Sequence, residues 1–274
     1  SGFALNRGRL AFDLVFGLLG AALVLFLVLP LASTFLATTP ADFLQACLDP
    51  EVLRSIGLTF AAGTLATMIA LGTGVPLAYL LARRKFRGKR LLEAIVNLPI
   101  VIPHTAAGVA LLLVFGRQGL VGQWLLPLGW TFTDTLAGVV VAMLFVSVPF
   151  LVNLSRDSFC LVDEEMERVA RTDGASPWQA FWHVTLPQAW RGVLGGAVMM
   201  WARGISEFGA VVILAYHPKI VPVLVYERFT AFGLEAVKPV AVLLVFASLA
   251  VFITLRLLVT RRERLPATRM SRGA

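Results

Sequence analysis

The run DEEMERVARTDGASPWQAFWHVTLP, residues 163–187, stands between two long apolar stretches and sets the reading of the chain. Asp163 is placed to cap a helix whose first turn holds Glu164, Glu165 and Glu167, where the positive end of the helix dipole favours carboxylates. Met166, Val169 and Ala170 share one apolar face of that helix. Gly174 suits the left-handed backbone that stops a helix, and Ser176-Pro177 is a cap and first-turn pair that starts another. Trp178 and Phe181 give the second helix an apolar side, and Pro187 is expected to help end it. The expectation is helix, glycine bend, helix: a compact knob held outside the bilayer.

Away from this knob the sequence turns apolar. Hydrophobic residues make up 58% of the chain, and the mean hydropathy is +0.83, far above that of soluble domains. Six stretches are long enough, or nearly so, to cross about 30 Å of hydrocarbon. They lie near 10–36, 56–82, 94–115, 136–154, 193–215 and 240–259. The fold expected is therefore an all-α integral membrane domain over residues 1–274, with six transmembrane helices and the knob as a loop between the fourth and fifth.

The net charge of +8 fits a membrane surface or nucleic acid, and the placement of the basic residues decides between them. Most fall in segments on one side of the six spans: Arg7 and Arg9, the cluster Arg83, Arg84, Lys85, Arg87, Lys89 and Arg90, then Arg156, Arg168, Arg171 and Arg191, and finally Arg256, Arg261, Arg262, Arg264, Arg269 and Arg272. The opposite side holds Arg54, Arg117, Lys219, Arg228 and Lys238. Because basic loops remain in the cytoplasm, both termini and the knob are expected there. The charge is a topology signal and calls for no nucleic-acid partner. Cys47 and Cys160 then lie on opposite sides and should not pair.

Small residues mark where helices approach. Ala62, Ala66, Ala70, Gly74, Ala78 and Ala82 recur every fourth residue along the second span, which forms a stripe suited to close packing. Gly192 and Gly196 repeat the pattern more weakly at the start of the fifth.

The knob resembles the cytoplasmic loop of ABC importer permeases, whose pattern is E-A-A-x-x-x-G, nine residues, then I-x-L-P. Here Val169, Ala170 and Gly174 are followed by nine residues and then Val184-Thr185-Leu186-Pro187, with Ala175, Ser176, Pro177 and Trp178 also in the family's manner. Arg168 stands where the family has Glu, with Glu167 just before it. The resemblance implies that the loop docks on a separate ATP-binding subunit and transmits nucleotide-driven motion. It further implies a homodimer of this chain with two such subunits, which bind ATP and Mg, an extracytoplasmic binding protein, and a place in a prokaryotic cytoplasmic membrane. The chain's own Gly88-Lys89 is followed by Arg90 and completes no P-loop, so no cofactor is expected in this chain.

The third span carries Asn97-Leu98-Pro99-Ile100-Val101-Ile102-Pro103-His104-Thr105. Two prolines four apart cannot sit in an unbroken helix, and membranes tolerate such breaks where they face protein or water. This run and Phe115-Gly116-Arg117-Gln118-Gly119-Leu120 resemble the molybdate, tungstate and sulfate branch of the permeases, and Ile205-Ser206-Glu207-Phe208-Gly209-Ala210 and Tyr226-Glu227-Arg228-Phe229-Thr230-Ala231-Phe232-Gly233 look like its molybdate/tungstate members. Inward passage of molybdate or tungstate is what that resemblance implies, with sulfate or another small solute as the alternative.

A dianion needs a hydrated route with donors. Thr105 and Ser206 either line it or bond their own helix. Arg203 and Glu207, four apart and deep in the fifth span, either form a gate or join helices. Pro99 and Pro103 complete the pore candidates. His104, His183 and His217 are scattered, none opens a zinc motif, and each is expected to be structural. No metal site or catalytic dyad is expected, which counts against an intramembrane enzyme. The docking loop counts against a channel.

Overall fold

The computed structural model of the chain describes residues 2–261; the basic residues Arg262, Arg264, Arg269 and Arg272 lie outside the described residues. The described residues are helical almost throughout. In order they form α1 (Gly2–Leu36), α2 (Pro40–Leu48), α3 (Pro50–Arg83), α4 (Lys89–Val101), α5 (His104–Phe115), α6 (Gly122–Leu125) and α7 (Leu136–Leu161). The second half follows as α8 (Glu164–Thr172), α9 (Pro177–Ala180), a π turn (Phe181–Thr185), α10 (Leu186–Ile205), α11 (Gly209–Leu214), α12 (Val221–Phe232) and α13 (Leu234–Arg261).

Local chemistry sets several boundaries. The Asp49 carboxylate accepts from the Glu51 and Val52 amides to cap α3, and the Thr135 hydroxyl accepts from the Gly138 amide to cap α7. Among the described residues four helices are long and apolar enough to cross a membrane: Phe12–Leu36, Pro50–Arg83, Leu136–Leu161 and Leu234–Leu255. The pair α4 and α5 provides a fifth crossing if the two count as one.

The core is a seam of three helices, α3, α7 and α10. The stripe Ala62, Ala66, Ala70, Gly74 and Ala78 is buried, and Ala82 is half-buried. At Gly74 an added Cβ would sit 3.2 Å from Val152 of α7. The second, weaker pair is equally tight: at Gly192 a Cβ would collide with Ser158, and at Gly196 it would meet the Leu151 carbonyl at 3.2 Å. Between them lies a buried apolar layer that includes Met143, Val146, Leu151, Phe159 and Met200. Lipid offers no hydrophobic drive to pair helices, so close backbone approach has to supply the contact energy.

The structure interrupts two of the expected spans and differs from the sequence reading in two further places. The stretch 94–115 is two helices, and the chain turns by 115° between them. Pro99 sits buried inside α4, while the break falls at Ile102-Pro103, since Pro103 donates no amide hydrogen bond and restricts the residue before it. The stretch 193–215 is likewise interrupted, because α10 ends at Ile205 and a short α11 starts only at Gly209. The segment 216–237, between the last two expected spans, contains α12, whose Val221 and Val223 are wholly buried and whose first amide donates to the buried Thr59 hydroxyl at 2.9 Å. Finally, Pro187 does not end the second knob helix. It lies in the first turn of α10, and the wider π turn before it absorbs the amide hydrogen bond that proline lacks.

The seam makes a direct prediction. Gly192→Leu forces a side chain into Ser158 and should lower stability by about 1–3 kcal/mol, the usual cost of overpacking. Gly72→Ala, where no atom lies within 4 Å, should be neutral by comparison. Thermal unfolding of the two variants in the same detergent checks the difference.

Candidate functional site

Two polar clusters sit at opposite ends of α10. The first joins the knob to the bundle. Glu167, on α8, turns inward with its side chain 14% exposed, and its Oε1 accepts from Arg83 Nε of α3 at 3.0 Å. It also accepts from the Tyr79 hydroxyl at 3.0 Å and from the Thr185 hydroxyl in the π turn at 2.5 Å. Arg83, 7% exposed, adds a bond to the Val162 carbonyl at 2.9 Å. A buried ion pair is favourable only when its remaining donors and acceptors are met, and this one is met from three elements. Phe159 and Phe181 pack edge-on against the Tyr79 ring and keep water away.

The rest of the knob faces outward. Arg168 is exposed and pairs loosely with Glu164 on its own helix, at 3.4 Å. The Ala175 amide donates back to Ala170 at 3.0 Å, and Gly174 adopts φ +95°, the left-handed turn expected there. Ser176 and Gln179 form a reciprocal capping box in which Pro177 fills the first turn. Met166, Val169, Trp178 and Trp182 are all about half or more exposed, and the two indoles stack at an interplanar angle of 17°. Leu186 is half-buried beside Pro187 where α10 begins.

The second cluster gathers where both interrupted helices break. Gly209 lets α11 approach the first turn of α5, for an added Cβ would lie 2.8 Å from His104; Gly108 answers it, 3.0 Å from the Ala210 backbone. Between them Glu207, 1% exposed, accepts from Arg203 Nη2 at 3.0 Å and from the Ala210 amide at 2.9 Å. Arg203 Nη2 also lies 2.7 Å from His104 Nε2. The Ser206 hydroxyl donates to the Arg203 carbonyl at 3.0 Å, within its own helix end, and its oxygen is 3.4 Å from Arg203 Nη1. Thr105 and Pro103 are exposed beside His104, whereas Pro99 is buried away from this group. The neighbouring Gly204 packs on Ser147, near the midpoint of α7, so the cluster lies level with the middle of that helix.

His104 is the residue that sequence reasoning missed here, and its position directly after Pro103 at the break was the available signal. Tyr79, Arg83 and Thr185 were also missed. Their partner Glu167 is 84 residues or more from two of them, and no local pattern links those distances. Among the described residues no group of acidic, His and Cys side chains could hold a metal.

At the far end of the bundle Lys219 Nζ lies 2.6 Å from Glu227, and Arg228 bonds Asp49 at 2.7 Å and Glu51 at 2.9 Å. Donation from Lys219 lowers the Glu227 pKa, and Glu227 in turn raises that of Lys219.

These features define a class: a polytopic helical membrane component with a rigidly seated loop at one end and interrupted helices level with the middle of α7. Residues 74–265 match the family of binding-protein-dependent transport system inner membrane components, and the chain belongs to that family. It is a transport permease component, not an enzyme. It is 46% identical over 258 residues to the molybdate/tungstate transport system permease protein of Pyrococcus furiosus, covering 93% of this chain and 98% of that one. Similarity to the sulfate transport system permease protein of Synechocystis is 31% over 243 residues, or 86% and 85% of the two chains. In fold it is similar to a bacterial ABC transporter involved in the import of the acidic polysaccharide alginate, with a TM-score of 0.72, 16% identity and coverage of 94% and 97%.

Two predictions follow from these geometries. Glu167→Ala strands Arg83, Tyr79 and Thr185 and should cost about 3–5 kcal/mol, the range for breaking a buried pair. Exposed Arg168→Ala should stay within about 0.5 kcal/mol. Unfolding midpoints and limited proteolysis of the knob compare the two. At the far end, the lowered Glu227 pKa means the Lys219 pair contributes fully above the ordinary carboxylate value of 4.5 and is lost as pH falls through the lowered one. The stability deficit of Lys219→Met should therefore be present at neutral pH and shrink below about pH 4.5, which thermal unfolding across pH measures.

Proposed function

We propose that this chain is the membrane-spanning subunit of an ATP-driven importer that passes molybdate or tungstate into a prokaryotic cytoplasm. The observation that carries the cargo is the gradient of similarity: 46% identity over nearly the full length to a molybdate/tungstate permease, against 31% to a sulfate permease. Sulfate remains the second reading on the strength of that 31% relative.

In this reading six crossings are made by α1, α3, α4 with α5, α7, α10 with α11, and α13. Both termini and the knob are cytoplasmic, in line with the basic residues clustered at that end. Two copies form a homodimer that encloses the path, since one six-helix chain supplies half of such a pore. Each copy seats its knob in one ATP-binding subunit, which binds ATP and Mg. An extracytoplasmic oxyanion-binding protein delivers the cargo to the outer segments 37–55, 116–135 and 216–237.

The knob suits such docking. Exposed Met166, Val169, Trp178 and Trp182 offer an apolar surface, and aromatic anchors of this kind dominate protein interfaces. Arg168 adds a positive charge at the rim where the family pattern has Glu. Glu167 does not grip the partner; it fastens the knob to α3 and to the start of α10. Motion imposed on the knob therefore passes into α10 as a rod, and α10 ends at the cluster of Arg203, Ser206 and Glu207. Thr105 and Pro103 face the path beside that cluster, and Pro99 shapes the helix leading to it.

Vesicles reconstituted with this chain, its ATP-binding subunit and its binding protein should accumulate radiolabelled molybdate and tungstate only with ATP. Uptake of sulfate alone would transfer the cargo to the second reading, and failure of any ATP-binding subunit to co-purify would end the importer reading. Trp178→Asp, which places charge on the docking face, should weaken that co-purification at least tenfold and reduce uptake in step.

A further inference from the structure

A guanidinium in a membrane bundle needs a counter-charge, and Arg203 has one behind it and an open front. Behind it, Glu207 is 1% exposed; its two oxygens are held by the Ala210 amide at 2.9 Å and by Arg203 Nη2 at 3.0 Å. At the front stand Ser206, exposed and 3.4 Å from Arg203 Nη1, Thr105, exposed and next to His104 in the chain, and the Arg203 side chain, 24% exposed. Thr105 carries an O–H donor, and the Ser206 hydroxyl, which donates to the Arg203 carbonyl at 3.0 Å, becomes one on rotating away from it. Lipid cannot solvate the bare edge of a guanidinium, so this front is turned to water or protein. His104 stands at the side, 42% exposed. Its Nε2 takes a hydrogen bond from Arg203 at 2.7 Å, and its Nδ1 lies 3.7 Å from Glu207.

The geometry points to a transit site for a tetrahedral dianion, in which Arg203, Ser206 and Thr105 bind the oxygens, His104 positions Arg203, and Glu207 keeps the binding weak. This rests on the oxyanion-importer reading and adds to it a station within the membrane and a division of roles. Arg203 Nη2 is spent on Glu207 and His104 and one Nη1 hydrogen on Ser206, so Nε and the second Nη1 hydrogen meet the oxyanion, and hydroxyls on either side extend that cradle. Left uncompensated in a low-dielectric setting, the same Arg would hold a dianion too firmly. Conduction requires a site favourable enough to enter and weak enough to leave. A fixed carboxylate 3.0 Å behind the guanidinium meets both demands: it stabilises the cation between passages and opposes the cargo during them. Because Glu207 is buried and bonded to Ala210, it cannot swing forward and block the front.

The test is direct binding of radiolabelled tungstate to the permease with its ATP-binding subunits in nanodiscs, without the binding protein. Glu207→Gln keeps an acceptor for the Ala210 amide and removes the charge. It should bind tungstate at least tenfold more tightly than wild type, while ATP-driven uptake in vesicles slows. The double variant Arg203→Gln with Glu207→Gln should lose that gain. Wild-type affinity in Glu207→Gln, or equal tightness in the double variant, overturns the proposal. Should Glu207→Gln fail to assemble, Thr105→Val and Ser206→Ala provide an independent arm. Each should slow uptake at least threefold with the complex intact, and unchanged uptake in both overturns the proposal. Wild-type uptake measured in the same vesicles separates the two levels: transport of molybdate or tungstate with no effect of these variants rejects the transit site alone, whereas no oxyanion transport by wild type rejects the importer reading.

Discussion

A helix interrupted inside hydrocarbon exposes peptide groups that lipid cannot satisfy, and this constraint organises the molecule. The chain breaks twice level with the middle of α7, at Ile102-Pro103 and at Ser206–Phe208, and brings the two breaks together. Gly108 and Gly209 let α5 and α11 approach until backbone meets backbone. Glu207 then accepts from the Ala210 amide that the first turn of α11 leaves open, and its charge is balanced by Arg203. Each break would be costly alone. Paired, they create a polar centre that remains sheltered on one side and open on the other.

The continuous helices are what make such a centre tolerable. The small-residue seam holds two continuous helices, α3 and α7, in close contact with α10, the long half of an interrupted one, so the broken elements have a firm wall to lean on. Glycine matters there for what it leaves out: at Gly192 and Gly196 any side chain would displace α7. A packing of this kind resists bending of a single helix and favours movement of the group as a body.

The sequence made the larger architecture legible and hid the breaks. Long apolar runs, the alanine stripe and the capping residues of the knob act locally, so their outcome can be read from neighbours in the chain. Gly174, Ser176 and Pro177 behave as their local chemistry requires. The interruption at Pro103 was half visible, since two prolines announced a break but not which of them would make it. The end of α10 at Ile205 was announced only weakly, by Gly204, Ser206 and Gly209 set among apolar residues, and where the helix stops α11 packs against the first turn of α5. Helix α12 was hidden for a similar reason: its apolar face is explained only by the second small core of Val52, Val221, Leu224 and Val240. The direction of Glu167 was beyond reach as well, because its partners Arg83 and Tyr79 lie on another helix far back in the chain.

With both ends in view, α10 is a rod held by a carboxylate at each terminus. At its start Thr185 is tied to Glu167, and near its end Arg203 is tied to Glu207. The 20 residues of α10 span about 30 Å at 1.5 Å per residue, and its interior packs on α7 through glycines that leave no slack. The one irregular turn is the π segment Phe181–Thr185, immediately beside the Glu167 hub. A π turn is the place where a helical path most readily changes register, while the rest of the rod stays straight. Displacement of the knob is then taken up at that turn or delivered whole to the far end. The Glu167 bonds to Thr185 and Arg83 brace the turn against the first outcome. What remains, on the importer reading proposed above, is delivery: a motion at the knob would reach the paired breaks as a shift of Arg203 relative to His104, across the contact that joins the two interrupted helices.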